Sequence, residues 1–297
     1  MLAGGVSSTS PEAIWRAIRA DEASSLQRKE SALKPILIDL GPLSIHSYGL
    51  MLAIAFLVGI GFVMRRMARY GVDTTPIADL AIVVLLSAVA GARLMFVLFH
   101  LSDYIQRPLD VFVIWKGGLQ LYGGLIPAII AGAVFLRLKR LPLGQVADSV
   151  AMAFFLGVFF TRIGCFLNGC CFGHPTDMAW GVRFPAGCAA SYFLPGQRLH
   201  PTQLYSALAG LATFGLLLAL ERWSRKPGVI FSAGLVLYGL GRTILDFFRF
   251  YEESNVVMRL DSAVINVNQI VSLALIVAGV VMMAMLMRRG GKGLREP

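Results

Sequence analysis

The sequence predicts an all-α integral membrane protein of about seven transmembrane helices, with its N-terminus outside and its C-terminus in the cytoplasm. Three observations carry this prediction. Apolar residues make up 57% of the 297 positions and charged residues 15%, against roughly 45–50% and about 25% in soluble domains. The mean hydropathy is +0.70, more than a water-soluble core of this size hides, so soluble, disordered and fibrous classes are excluded. Finally, of the 27 basic residues the largest group clusters at alternate ends of the apolar runs, which marks the basic excess as topogenic rather than as a nucleic-acid patch.

Residues 1–46 form a polar arm without the apolar stretch of a signal peptide. Its serine-rich start reads as disordered and Pro11–Glu30 as a polar or interfacial helix, while Gly41-Pro42 breaks any helix before the first span. About 20 apolar residues cross the roughly 30 Å hydrocarbon layer. Runs of suitable length follow at 48–64, 78–100, 119–136, 147–163, 203–221, 228–247 and 262–287. The fourth is short, and its end near 163 is the least defined boundary. None alternates polar and apolar residues as a barrel strand does, so helices are expected. The membrane domain thus covers 47–288, with an external loop at about 164–202 and a basic tail at 289–297. No internal repeat supports an inverted-repeat transporter.

Thirteen basic residues follow the first, third, fifth and seventh spans, among them Arg65, Arg66, Arg69, Arg137, Arg140, Arg222 and Arg288. Six occupy the loops on the other side, including Arg183, Arg198 and Arg249. This asymmetry sets the orientation.

Three arginines, Arg93, Arg162 and Arg242, lie within spans, all in the outer half. A buried cation costs at least ~2.5–3.5 kcal/mol on insertion scales, so each needs a partner or a purpose. A phosphate-bearing lipid head group entering from the outer leaflet would account for all three. Snorkelling to the interface is the alternative for any one of them, and suits Arg162 best. Tyr238, Arg242 and Asp246 are spaced i, i+4, i+8 and share one helix face, where Asp246 is either part of a site or a plain counter-ion. Gly234, Gly239 and Gly241 on the same helix permit close approach of a helix or ligand. Tyr48, Tyr122, His200, Gln203, Tyr205, Asn266, Asn268 and Gln269 gather at the same level, although tyrosines there also suit an interfacial belt.

All four cysteines, Cys165, Cys170, Cys171 and Cys188, lie in or beside the external loop. Their spacing lacks a C-x-x-C pair and argues against a zinc site. An oxidising exterior favours one or two disulfides, of pairing that spacing does not reveal.

The stretch Arg162-Ile-Gly-Cys-Phe-Leu-Asn-Gly-Cys-Cys-Phe-Gly173 resembles the signature of the prolipoprotein diacylglyceryl transferases, an Arg followed by Asn-Phe-x-Asn-x-Glu-x-x-Gly. Arg162, Phe166, Asn168 and Gly173 match it. Thr161 stands for a Gly, Cys165 for the first Asn and Cys170 for the Glu. The resemblance continues through Tyr48-Gly-Leu50, Gly91-Ala-Arg93-Leu94, Tyr122-Gly-Gly-Leu125, Asp148, His200-Pro-Thr-Gln-Leu-Tyr205 and Tyr238…Arg242…Asp246, with Asn268-Gln269 in place of a Gly-Gln. Tyr122 occupies the position of a family His proposed as a base, and Asp246 that of a Glu. Residues 1–40 lie outside it.

The resemblance implies a multi-pass enzyme of the bacterial cytoplasmic (inner) membrane with its site toward the outer leaflet. It would transfer a diacylglyceryl group from phosphatidylglycerol to the lipobox cysteine thiol of prolipoprotein signal peptides, releasing glycerol phosphate. Tyr122 and Arg242 are then the candidate catalytic residues. Arg162, Arg93, Tyr48, Asn168, Tyr238, Asp246 and His200 are candidates for holding the lipid. No metal or organic cofactor is expected, and no nucleic-acid partner. The alternatives are a carrier or flippase that binds an anionic lipid with the same arginines, and, less well supported, a thiol–disulfide oxidoreductase built on Cys170 and Cys171.

Overall fold

The computed structural model describes residues 36–39, 44–105, 107–113, 117–224, 226–250, 256–260 and 263–290. The expected helix at Pro11–Glu30, the Gly41-Pro42 break and the tail beyond 290 lie outside these residues. The helices are α1 (Ser47–Arg69), α2 (Thr75–Phe99), α3 (Leu101–Ile105), α4 (Leu121–Leu138), α5 (Leu143–Leu167), α6 (Ala189–Phe193), α7 (Thr202–Trp223), α8 (Val229–Asp246) and α9 (Val267–Gly290). A 3-10 turn spans Pro108–Phe112.

Six of these helices, α1, α2, α5, α7, α8 and α9, are long and apolar enough to cross a membrane. The third expected span, α4, is a shorter apolar helix of 18 residues with Pro127 inside it, or about 27 Å at 1.5 Å per residue. The chain is a polytopic, helical membrane protein. The span expected at 147–163 extends over 25 residues, which sets Arg162 more than a turn inside the end of α5. The last span starts later than expected, because Ala263–Asn266 pairs with Val256–Leu260 in an antiparallel hairpin that runs straight into α9. A similar hairpin, Ile36–Asp39 with Ser44–His46, leads into α1.

Helix α5 is the hub and packs on α1, α7 and α8; α2 pairs with α4, and α9 with α8. Without a hydrophobic drive between helices in lipid, close backbone approach supplies the packing. Gly91 of α2 lies on the Gly123 carbonyl and Pro127 of α4, where a Cβ would not fit. Val63, Met67, Ile77, Leu80, Leu136 and Val146 make one buried cluster, and Met152, Phe155, Leu217, Ile230 and Ala233 a second. A third, of Phe172, Phe184, Cys188, Ala190 and Leu199, gives the 168–201 loop its own small core.

Two polar staples close the end of the bundle opposite that loop. Arg66, counted by its sequence position among the flanking charges, is instead buried. It forms a two-pronged ion pair with Glu221 and donates through Nε to Ser149 Oγ at 3.1 Å, and Tyr70 also donates to Glu221 at 2.8 Å. This joins α1, α5 and α7. The Asp148 carboxylate of α5 accepts from the backbone N–H of Gly228 at 2.8 Å and of Phe231 at 2.7 Å. It thereby satisfies orphan donors at the start of α8, which opens on Gly228 at φ 90°.

Candidate active site

The site begins where α5 ends. Gly169 takes the left-handed conformation at φ 67°. The Cys170 N–H returns to the Cys165 carbonyl at 3.1 Å and that of Gly169 to the Phe166 carbonyl at 3.1 Å. This is a Schellman ending, which brings the residue after the glycine against the one five positions earlier. Here those residues are Cys170 and Cys165. Cys171 follows, also left-handed, at φ 62°. Its carbonyl accepts from Thr202 Oγ1 at 2.8 Å, and the Cys170 carbonyl from Gln203 Nε2 at 2.7 Å. Thus the start of α7 clamps the turn, and the three sulfurs lie within 4.8 Å of one another.

Arg162, just over a turn inside α5, hydrogen-bonds the Cys171 sulfur and has Cys165 and the Tyr238 hydroxyl of α8 within electrostatic reach. Tyr48, at the start of α1, faces the same three cysteines and Arg162. Its backbone is held close because Gly164 of α5 carries no Cβ to strike Met51. The Asn168 amide bonds the Cys170 sulfur. Hydrogen bonds from the Cys165 and Cys170 thiols hold Cys171 well below the usual thiol range, and Arg249 and Arg162 add to this against the opposing effect of burial.

One turn beyond Tyr238 on α8, Arg242 pairs through Nε with the Asp246 carboxylate at 3.4 Å. The i, i+4, i+8 face read from the sequence therefore carries a buried ion pair. Tyr238 packs edge-on against Phe154 and lies close to Phe155 of α5. Of the three glycines on α8, Gly239 makes the close approach, to the Ser272 carbonyl and Ile276 of α9, whereas Gly241 faces open space.

His200 stands where the loop enters α7. Its Nδ1 lies 3.2 Å from the Tyr205 hydroxyl, which also accepts from Trp180 Nε1 at 2.7 Å. The His200 carbonyl accepts from the Gly173 N–H at 3.0 Å. Gly173 is wedged between His200, Thr202 and the Phe248 carbonyl, where a side chain would collide.

Arg93, also expected at the lipid, is held by backbone carbonyls. Its Nε donates to the Val111 carbonyl, Nη1 to Gly117 and Gly118, and Nη2 to Asp110 and Val113. All five guanidinium N–H groups are engaged by backbone, and Phe96 and Tyr104 flank the cation. Arg93 therefore anchors the segment between α3 and α4 and leaves no donor for a phosphate. Tyr122, one residue into α4 on that anchored segment, is 46% exposed and makes no hydrogen bond to Arg162 or Arg242 among the described residues.

Two features escaped the sequence reading. No disulfide joins the four cysteines, which are free thiols; Cys188 turns its sulfur to the Pro185 carbonyl at 3.2 Å. The convergence of the other three was signalled by Gly169, whose place at a helix end predicts the meeting of Cys165 and Cys170. Arg249, counted only as a loop charge, bridges to Gly173 and acts on Cys171.

The model of the prolipoprotein diacylglyceryl transferase family matches residues 35–285. The chain belongs to that family. It is 34% identical over 261 residues to the phosphatidylglycerol–prolipoprotein diacylglyceryl transferase of Geobacter sulfurreducens, covering 86% of this chain and 96% of that protein. It is 36% identical over 263 residues to the Rhodospirillum rubrum enzyme of the same name, covering 84% and 91%. A Clostridium tetani relative of that name is 31% identical over 249 residues, 84% and 96% of the two chains. As a family member, this chain is a multi-pass membrane transferase of lipoprotein biosynthesis.

Proposed function

We propose that this transferase moves the diacylglyceryl group of phosphatidylglycerol onto the lipobox cysteine of prolipoprotein signal peptides, at the outer leaflet of the bacterial cytoplasmic membrane. The observation that carries this reading is the pair of membrane-embedded guanidiniums at the loop end of the bundle, Arg162 of α5, with Tyr238 within electrostatic reach, and Arg242 of α8, one turn from Tyr238 and paired with Asp246. The basic residues at the opposite end support the placement of that loop outside.

The lipobox sulfur attacks the diacylglycerol carbon that bears the phosphate. The C–S bond forms as the C–O bond breaks, and glycerol phosphate leaves. Charge grows on the departing phosphate oxygen, where a preorganised cation in a low-dielectric site is worth most. Arg162 and Arg242 supply it, and Asp246 orients Arg242. Tyr48, Tyr238 and Asn168 border the head group, and His200 fixes the loop that covers it. Arg93 acts from behind, by shaping the segment that carries Tyr122, which in turn positions the phosphate or takes part in proton transfer.

Reconstitution into phosphatidylglycerol vesicles with a lipobox peptide tests the reading. The peptide gains the mass of one diacylglyceryl group, and a cysteine-to-serine peptide gains none. A carrier that makes no bond would move phosphatidylglycerol across the vesicle and leave the peptide mass unchanged, and that result would refute the proposal.

A further inference from the structure

The geometry points to a metal site: we propose that Cys165, Cys170 and Cys171 bind one thiophilic d10 cation of the Zn2+ class, whose open fourth position takes the lipobox thiol as a thiolate. The thiol-activating half rests on the transferase reading above; the metal site itself does not.

The three ligand sulfurs lie within 4.8 Å of one another. Around a tetrahedral ion with Zn–S bonds of about 2.3 Å they would stand roughly 3.8 Å apart, which falls inside that limit. The backbone is built to hold them there. The Schellman ending places Cys165 under Cys170, and Thr202 and Gln203 clamp the two cysteine carbonyls. Cys171 and Arg140 are the only non-glycine residues with positive φ among those described. A side chain in that region is strained and persists there only where the surroundings impose it. The strained residue here is the one whose sulfur completes the triad.

A disulfide uses this arrangement less well. Adjacent Cys170 and Cys171 strain a direct bond, and a Cys165–Cys170 bond leaves the Cys171 thiol beside Arg162 and Arg249. One metal ion uses all three. Three thiolates around a divalent ion carry one net negative charge, which the neighbouring Arg162 and Arg249 offset. Among the described residues no fourth His, Cys, Asp or Glu joins the group, and three protein ligands with one vacancy is the catalytic form of a zinc site rather than the structural one.

The vacancy meets a need of the reaction. A free thiol has a pKa of about 8.5 and a phenol about 10, so a tyrosine is a weak base for it. On a Zn2+-class ion a thiol deprotonates outright. In the proposed step the lipobox thiol loses its proton to water as sulfur binds the ion. A sulfur lone pair then forms the C–S bond while the C–O electron pair departs with glycerol phosphate. The product thioether is neutral and leaves the metal. No oxidation state changes.

The test uses the purified full-length protein with Co2+ as a spectroscopic probe and elemental analysis of metal content. One ion per chain is expected, with intense thiolate-to-cobalt charge-transfer absorption. Cys165→Ser, Cys170→Ser and Cys171→Ser should each weaken binding at least about tenfold, whereas Cys188→Ser should not. Adding a lipobox peptide should change the Co2+ spectrum, and its serine analogue should not. The absence of a stoichiometric ion in the wild type, or a disulfide among the three thiols, overturns the site. Metal binding without a response to the peptide thiol overturns the activation step. Metal binding with that response but no diacylglyceryl product leaves this site standing and refutes the transferase reading instead.

Discussion

The sequence makes Tyr122 a catalytic candidate and Arg93 a lipid-holding one, and the two residues differ in where their polar atoms go. Arg93 is 7% exposed and satisfied by backbone, whereas the half-exposed Tyr122 ring stands on the segment that Arg93 anchors. If the Tyr122 hydroxyl orients the phosphate or shares its proton transfer, Tyr122→Phe should slow transfer about tenfold, a loss of ~1.4 kcal/mol. Tyr122→His should retain or raise activity, because imidazole titrates near neutrality. Equal rates for Phe and wild type in the vesicle assay would make Tyr122 a wall of the pocket only. At this scale the sequence revealed which residues matter better than what they do. Depth in the span singled out Arg93 correctly as unusual. The backbone carbonyls that claim it lie 17–25 positions away, in a segment without a sequence pattern that predicts its path.

The elements were legible where hydrophobic length decides them, and less so where a local bond does. The extra length of α5 and the late start of α9 follow from a Schellman turn and a hairpin, neither of which hydropathy detects. Asp148 shows the same limit. Inside an apolar run it reads as a charge in the membrane, yet it is the cap of α8, accepting from Gly228 and Phe231. Asp148→Ala leaves both buried N–H groups without that partner, at about 2–6 kcal/mol in total. Thermal unfolding in detergent should show a lower midpoint for Ala than for Asn, which keeps one acceptor oxygen. Unchanged midpoints in both would show that the cap contributes little.

For the whole molecule, the amphipathic logic is that of a bundle with two dissimilar ends. One end is stapled by Arg66–Glu221 and flanked by basic residues; the other opens into the folded loop with Arg162, Arg242 and the thiols. Substituted-cysteine accessibility should place residues near 70 and 140 on the cytoplasmic side and the 174–198 loop outside. A cytoplasmic loop would remove the outer-leaflet site. The overall helical frame was readable because about 20 apolar residues have few other fates. The thiol triad was legible only in part: Gly169 at a helix end signals the meeting of Cys165 and Cys170, whereas nothing in the spacing shows the left-handed Cys171 that completes it.

The most direct measurement is the transfer rate of Arg162→Ala in phosphatidylglycerol vesicles, read by the mass of the lipobox peptide, with insertion and thermal midpoint matched to wild type. Removing one preorganised donor from a buried, charge-developing site should lower the rate by at least about a hundredfold. Arg162→Lys should restore it only in part, because it keeps the charge and loses the planar fork. Wild-type transfer by a folded Arg162→Ala protein would contradict the account.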